Sequence, residues 1–147
     1  MLFEKTIELN RMDGLYLRYL ANKGRGLFCR NDIKAGAIIE TTPSFLFVND
    51  FTRGTVLQDY VFTSCDVPKS IRKLIKVKEK DTLVTLPLGV SLICNHSKDN
   101  NATYKQTTNL HSVFFQLIAL RDIPKNTEIC INYGDHWFTL RNFYGQK

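Results

Sequence analysis

The sequence predicts a mainly β domain built from several small sheets. Three observations carry that expectation: short runs rich in β-branched and aromatic residues recur along the chain, turn residues separate them, and helical spacing is hard to find. A hydrophobic content of 44% over 147 residues is enough for one core and too little for two. The expectation is therefore a single domain over residues 1–147, with no linker or low-complexity tract to divide it.

The elements follow in order. "FEKTIEL" (Phe3–Leu9) alternates, and "GLYLRYLA" (Gly14–Ala21) and "GLFCR" (Gly26–Arg30) are aromatic-rich strands. Two further runs, "AIIETT" (Ala37–Thr42) and "FLFVN" (Phe45–Asn49), are apolar and largely β-branched or aromatic. "RGTVLQDYVF" (Arg53–Phe62) fits a strand or a short helix equally, and the sequence leaves it open. "IKVK" and "TLVTL" flank Glu79-Lys80-Asp81 and predict a charged hairpin. "HSVFFQLIALR" (His111–Arg121) and "EICINYG" (Glu128–Gly134) give the strongest strand signals of the second half. An internal echo joins two of the corners: "DIKAGAII" from Asp32 and "DIPKNTEI" from Asp122 share an Asp-Ile start and a return to an apolar strand. Gly36 and Asn126, the residue types that best tolerate positive φ, fall at matching places.

Charge and cysteine usage narrow the function classes. The formal net charge is +6, and much of it sits in "PKSIRKLIKVKEKD", where Lys69, Arg72, Lys73, Lys76, Lys78 and Lys80 face only Glu79 and Asp81. A solvated charged face is the ordinary outcome of such a run, and contact with DNA through the Lys69–Lys80 hairpin is the functional alternative. Cys29, Cys65, Cys94 and Cys130 stand far apart with no C-x-x-C pair, so buried reduced thiols are expected rather than a metal cluster or a disulfide framework. The sequence carries neither a membrane-length apolar run nor a secretory signal pattern, so a soluble intracellular protein with no membrane partner is expected.

Three polar or glycine-rich stretches interrupt the strand pattern. "NKGRGLF" (Asn22–Phe28) puts two glycines before a strand without the G-x-G-x-x-G continuation of a dinucleotide fold. "LICNHSKDNN" (Leu92–Asn101) ends an apolar run in an amide and an imidazole, groups that must find hydrogen-bond partners wherever they are buried. "ICINYGDHWF" (Ile129–Phe138) delivers Tyr133 to a glycine and then to Trp137 and Phe138. Each alone has a plain structural explanation: turn chemistry, a satisfied histidine, a core aromatic cluster.

Together and in this order they resemble the SET-domain protein lysine methyltransferases, over Gly14 to Phe138. "GRGLFCRNDIKAGAIIE" and "FFQLIALRDIPKNTEICINYG" are similar to that family's first and last strand-turn-strand segments. "RGTVLQDYVF", "LICNHSKDNNATY" and "ICINYGDHWF" are similar above all to the minimal viral-type SET histone methyltransferase. The resemblance implies the SET fold, small sheets with a C-terminal pseudoknot, and methyl transfer from S-adenosylmethionine to a lysine side chain, in a histone tail or another lysine-bearing protein. It implies Tyr133 as the catalytic residue and Tyr60, Ile131 and Trp137 along a substrate lysine channel. Gly24, Arg25, Gly26, Asn95, His96, Tyr133 and Phe138 would meet the cofactor, with no metal. The side chain two places before the tyrosine, here Ile131, is smaller than the Phe or Tyr of many relatives and leans towards higher methylation. Histone methylation would place the protein in a nucleus, and the viral subtype implies a homodimer.

The chain also departs from the family. Lys98 stands where many relatives carry cysteine, no cysteine-rich module follows Tyr133-Gly134, and residues 68–81 look like an insertion. Closing the lysine channel would fall to the tail (residues 139–147 and the segment before it) or to a second subunit. A non-catalytic SET-like peptide-binding module, or a methyltransferase with a non-histone substrate, is the competing reading.

Overall fold

Gly24 is a place where the backbone demands glycine: its φ is +74°, and it ends the reversal that brings Leu20 opposite it. The computed structural model describes residues 6–64, 67–109 and 112–142. In chain order the strands are β1 (Asn10–Arg11), β2 (Leu15–Leu20), β3 (Gly24–Cys29), β4 (Ile38–Val48), β5 (Phe62–Thr63), β6 (Leu83–Pro87), β7 (Asn95–His96), β8 (Ala102–Asn109), β9 (Ser112–Ala119) and β10 (Glu128–Ile131). The helices are α1 (Lys69–Leu74) and α2 (Asp135–Asn142), with 3-10 turns at Asn49–Phe51, Val56–Asp59 and Val90–Ile93. The architecture is mainly β, as the alternation predicts, and the chain packs as two compact units.

The first unit comprises Met1–Asp13, Ile38–Ile93 and Tyr104–Ile118. Its sheet runs β5-β6-β4-β9-β8, with β1 also on β4. "AIIETT" and "FLFVN" form one strand, not two, and Pro43 in its middle explains why the sequence looked broken there. On one edge β4 pairs with β1 as far as Thr41 and with β6 from Ser44 onwards, so Pro43 falls in the gap between partners. Its carbonyl accepts from Leu88 N–H on that same edge, and a residue's N–H and C=O point the same way in a strand. The missing N–H therefore faces no ladder partner. Phe115, with no exposed surface, stacks on Tyr104 with ring centres 5.0 Å apart and meets Phe62 at 4.8 Å.

The predicted hairpin over residues 68–81 is not formed. Pro68 leads into α1, because Ile71 and Ile75 repeat at helical rather than strand spacing; Ile71 is buried with Val67 and Leu83, and Ile75 packs against that cluster, as do Leu46 and Val48. Two of the segment's six basic side chains are engaged within the unit. Lys69 pairs with Glu79 at 3.1 Å, and Arg72 Nη1 donates to the carbonyls of Lys78 and Asp81 at 3.2 and 3.1 Å, tying the following loop to the helix. The open segment Arg53–Phe62 resolves as a 3-10 turn leading to β5, and Tyr60 caps that turn. The run expected from Phe3 is unpaired over residues 6–9.

The second unit comprises Gly14–Ala37, Cys94–Thr103 and Ala119–Lys147, and its sheet runs β2-β3-β10-β7. The late strand β10 lies between two earlier ones, antiparallel to β3 and parallel to β7. Leu27, Ile33, Ile123, Ile129 and Ile131 are at most 2% exposed and form its core. Each such side chain contributes about 1.5–3 kcal/mol on burial. Cys29, Cys94 and Cys130 are buried, as the sequence leads one to expect; Cys65 lies outside the described residues.

The internal echo becomes a reciprocal clasp. Ile33 and Ile123 exchange both backbone hydrogen bonds, at 2.9 and 2.8 Å. Asp122 accepts from Ala35 N–H at 2.9 Å while Asp32 accepts from Lys125 N–H at 2.7 Å, each aspartate holding the other corner. Gly36 N–H reaches Ala119 O, and Asn126 N–H reaches Cys29 O, with φ of +80° and +62° at the two matched positions. This clasp fixes where β3 ends and where β10 begins.

Candidate active site

The amide-imidazole pair of Asn95 and His96 forms β7 and lies along the end of β10, with Cys130 opposite Asn95 and Ile131 opposite His96. Two residues later the chain delivers Tyr133. Its backbone N–H donates to His96 Nδ1 at 3.1 Å, and its hydroxyl donates to Cys94 O at 2.6 Å. Because Nδ1 accepts, the imidazole is neutral with its proton on Nε2. Burial, followed by the charge of nearby Lys98, lowers the His96 pKa below 6.5 and keeps that state at neutral pH.

Asn95 closes the other side of the knot. Its Nδ2 donates to Glu128 Oε1 at 2.7 Å and to Arg25 O at 3.1 Å, so the middle residue of Gly24-Arg25-Gly26 is tied to the turn. The two glycines serve different ends. Gly24 needs its positive φ, and no atom lies within 4 Å of where its Cβ would stand. A Cβ on Gly26 would stand 2.6 Å from Glu128 Oε1 and 3.1 Å from Asn95 Nδ2, so that space belongs to a polar pair of this chain. Asn101 completes the frame: its Oδ1 accepts from Cys130 N–H at 2.9 Å and its Nδ2 donates to Glu128 O at 2.8 Å. One buried side chain thereby bonds the β10 backbone at Glu128 and Cys130, beside the short two-residue pairing with β7.

Past Gly134, α2 returns the aromatic side chains to the tyrosine. Trp137 lies 4.9 Å from the Tyr133 ring and Phe138 4.7 Å from the His96 ring, edge-on. A cavity of about 810 Å3 opens here, lined by His96, Ser97, Lys98, Asn132, Asp135, Phe138 and Thr139. Its size and its mix of aromatic faces with a few polar groups are those of a small-molecule site.

Of the residues singled out in the sequence, Gly24, Arg25, Gly26, Asn95, His96, Ile131, Tyr133, Trp137 and Phe138 all belong to this unit. Ile131 is 1% exposed and sits in the core. Tyr60 belongs to the other unit, half-buried on its 3-10 turn. Glu128, Asn101 and Asp135 escaped sequence reasoning. Glu128 lies in an ordinary strand pattern, and nothing local marks its carboxylate as the partner of an amide thirty-three positions earlier. The Cys130 thiol is pushed up to about 11, first by burial and then by the Glu128 charge, and stays protonated.

The SET-domain family profile matches residues 24–134, from the first glycine of the pair to the glycine after Tyr133. A curated relative from Schizosaccharomyces pombe, the histone-lysine N-methyltransferase specific for H3 lysine-37, is 29% identical over 129 residues, covering 84% of this chain and 76% of its own. Among solved structures, a Plasmodium falciparum protein described as a candidate histone methyltransferase superposes with a TM-score of 0.63. It is 25% identical and covers 86% of this chain and 98% of its own. The hydrogen-bonded knot of glycine pair, N-H-S turn and late tyrosine thus lies inside the matched span, and the chain belongs to the SET-domain family of protein lysine methyltransferases.

Proposed function

We propose that this protein methylates a lysine in a histone tail, with Tyr133 as the catalytic residue and S-adenosylmethionine as the donor that SET methyltransferases use. The observation that carries the proposal is the double anchorage of Tyr133, backbone to His96 and hydroxyl to Cys94. The residues present fit the cofactor: the cavity of about 810 Å3 has the Phe138 and His96 rings in its lining, and Asn95, next to His96 in the chain, spends its Nδ2 hydrogens on Glu128 and Arg25 and keeps its oxygen as an acceptor for an ammonium. His96, Phe138 and Asn95 would hold it, beside the backbone of Gly24 and Arg25. Bound there, it supplies a methyl on a sulfonium whose positive charge also lowers the pKa of a neighbouring amine.

The rest of the chemistry belongs to the chain. A lysine amine is a nucleophile only when neutral, and its reference pKa is about 10.4, so an apolar approach must favour proton loss. The Trp137 ring beside Tyr133 supplies such a surface and attracts the cation on its way in. With its single proton given to Cys94 O, the Tyr133 hydroxyl meets the amine as an acceptor and fixes the direction of its lone pair. Alignment of this kind removes about 7–11 kcal/mol of barrier in well-oriented systems.

The test is Tyr133→Phe, assayed with labelled S-adenosylmethionine on histones, histone-tail peptides and bulk lysate, with mass spectrometry to locate the product. The expected result is an unchanged fold and a transfer rate reduced by about 10²-fold or more. An unchanged rate refutes the assignment, and label appearing only on non-histone proteins refutes the substrate. The basic segment also supports contact with nucleosomal DNA through Lys73, Lys76 and Lys78, since Lys69 and Arg72 are engaged within the unit. Neutralising those three should weaken activity on nucleosomes and spare a free peptide; equal loss on both excludes it.

A further inference from the structure

We propose that Glu128 is a positioning residue that fixes the Asn95 amide with its oxygen turned towards the ammonium of the donor's amino-acid end. This rests on the cofactor reading above and adds to it a residue outside the glycine pair, the N-H-S turn and the tyrosine. An amide side chain is nearly symmetric in shape and antisymmetric in hydrogen bonding, so rotation by half a turn exchanges an acceptor for a donor. At most sites water lets both orientations persist. Here both hydrogens of Asn95 Nδ2 are taken, one by Glu128 Oε1 at 2.7 Å and one by Arg25 O at 3.1 Å. An ionised carboxylate and a backbone carbonyl can only accept, so the flipped amide would set oxygen against oxygen at both contacts. No donor among the described residues reaches Asn95 Oδ1, which is left to accept from a ligand.

The surroundings of Glu128 are arranged for this contact. The carboxylate is 16% exposed, and its second oxygen lies 3.5 Å from Lys23 Nζ. Gly26 leaves the volume it occupies, since a Cβ there would overlap Oε1. The carboxylate could act in a second way, by attracting the ammonium through its charge alone, and the variants separate the two. Gln at 128 removes the charge but keeps an oxygen within reach of Asn95 Nδ2; Ala removes both.

Binding is measured by titration calorimetry with S-adenosylhomocysteine, which carries the amino-acid end, and with 5′-methylthioadenosine, which lacks it. Glu128→Ala is expected to weaken S-adenosylhomocysteine about tenfold or more, the loss of one hydrogen bond to a charged group. Glu128→Gln should restore affinity to within about threefold, and 5′-methylthioadenosine should bind all forms alike. Gly26→Ala keeps Glu128 in the sequence but displaces its carboxylate from Asn95, and should give the same selective loss, which covers the case in which Glu128→Ala does not fold. In the ligand-free protein, the Asn95 side-chain amide protons should be protected from solvent exchange in the wild type and in Glu128→Gln, and lose that protection in Glu128→Ala. If Glu128→Gln binds as weakly as Glu128→Ala, charge attraction is the cause and the positioning role is wrong. If Asn95→Ala loses selectivity for S-adenosylhomocysteine while neither Glu128→Ala nor Gly26→Ala does, the inference fails and the cofactor site stands. A wild type that binds neither compound overturns the cofactor site itself.

Discussion

Replacing Asn101 by aspartate changes one NH2 to one oxygen and tests whether a buried side chain, beyond the strand pairing with β3 and β7, holds the β10 backbone. Asn101 is 8% exposed and exchanges two hydrogen bonds with the β10 backbone, accepting from Cys130 N–H at 2.9 Å and donating to Glu128 O at 2.8 Å. In Asn101→Asp the first bond survives. The second becomes a carboxylate oxygen facing a carbonyl oxygen, and a part-buried carbonyl loses its donor at a penalty of about 1–3 kcal/mol. Burying the new charge adds to that. The expected destabilisation is therefore about 2–4 kcal/mol, a large share of the roughly 5–15 kcal/mol that a domain of this size commands.

Two features make the prediction specific. Asn101→Ala orphans both backbone groups without adding charge, and should fall in the same range. Asn101→Asp alone should recover as pH falls, because the protonated carboxyl regains a donor for Glu128 O and its neutral form is favoured. The sign follows from linkage: the folded state holds that proton more tightly than the unfolded one, so the deficit grows with rising pH. Urea unfolding followed by circular dichroism at several pH values measures it, with methyl transfer assayed in parallel because β10 leads into Tyr133. A loss under about 0.5 kcal/mol in both variants, or a deficit that ignores pH, would refute the reasoning.

His96 should titrate below 6.5, since burial and Lys98 depress its pKa; the contribution of its neutral form to stability is then complete above 6.5 and lost as pH falls through the lowered value. A midpoint above 6.5 in a proton NMR titration would contradict this, and Lys98→Gln should move the midpoint upwards. Gly89→Ala should cost about 2 kcal/mol or more, because a Cβ there overlaps the carboxylate of Glu40, which is 2% exposed and accepts from Val90 and Ser91 N–H, both at 2.9 Å. In a Glu40→Ala background the same glycine change should cost almost nothing more; additive losses would exclude the clash as the cause.

What the sequence made legible, and what it hid, divide along physical lines. Strands with strict alternation or dense β-branching, β2, β3, β6, β9 and β10, were readable because periodicity reports burial of one face directly. The echo of Asp32 and Asp122 was readable as two similar corners, and its reciprocal bonding was not, since pairing between distant segments leaves no local trace. The helix α1 was misread because Ile75, Val77 and the lysines between them also alternate, and a short window cannot separate that from the Ile71–Ile75 helical pair. β8 went unseen because Ala102–Asn109 is mostly polar. At the candidate site, the residue types with distinctive chemistry stand out in the sequence and the groups that bond them do not. Asn95, His96 and Tyr133 announce themselves; Glu128 and Asn101 look like any surface carboxylate and any turn asparagine until β10 is laid beside them.

The polar groups at the end of Leu92–Asn101 are thus partnered within the protein before any ligand arrives. Asn95 is held by Glu128 and Arg25, His96 by Tyr133, Asn101 by the β10 backbone. Each bond crosses between segments distant in the chain, so no one of them can shift without disturbing β10. A site assembled in this way spends little on ordering when its ligands bind, because its own side chains have already given up their alternative rotamers. It also explains why short side chains suffice here. Long flexible groups such as Lys23 and Lys98 lie at the margin, exposed, where they can modulate charge, while the groups that must hold direction are amides, an imidazole and a phenol with both ends tied. Relaxing any one tie should therefore lower affinity for the amino-acid end or alignment of the amine before it lowers the stability of the core built on Leu27, Ile33 and Ile129.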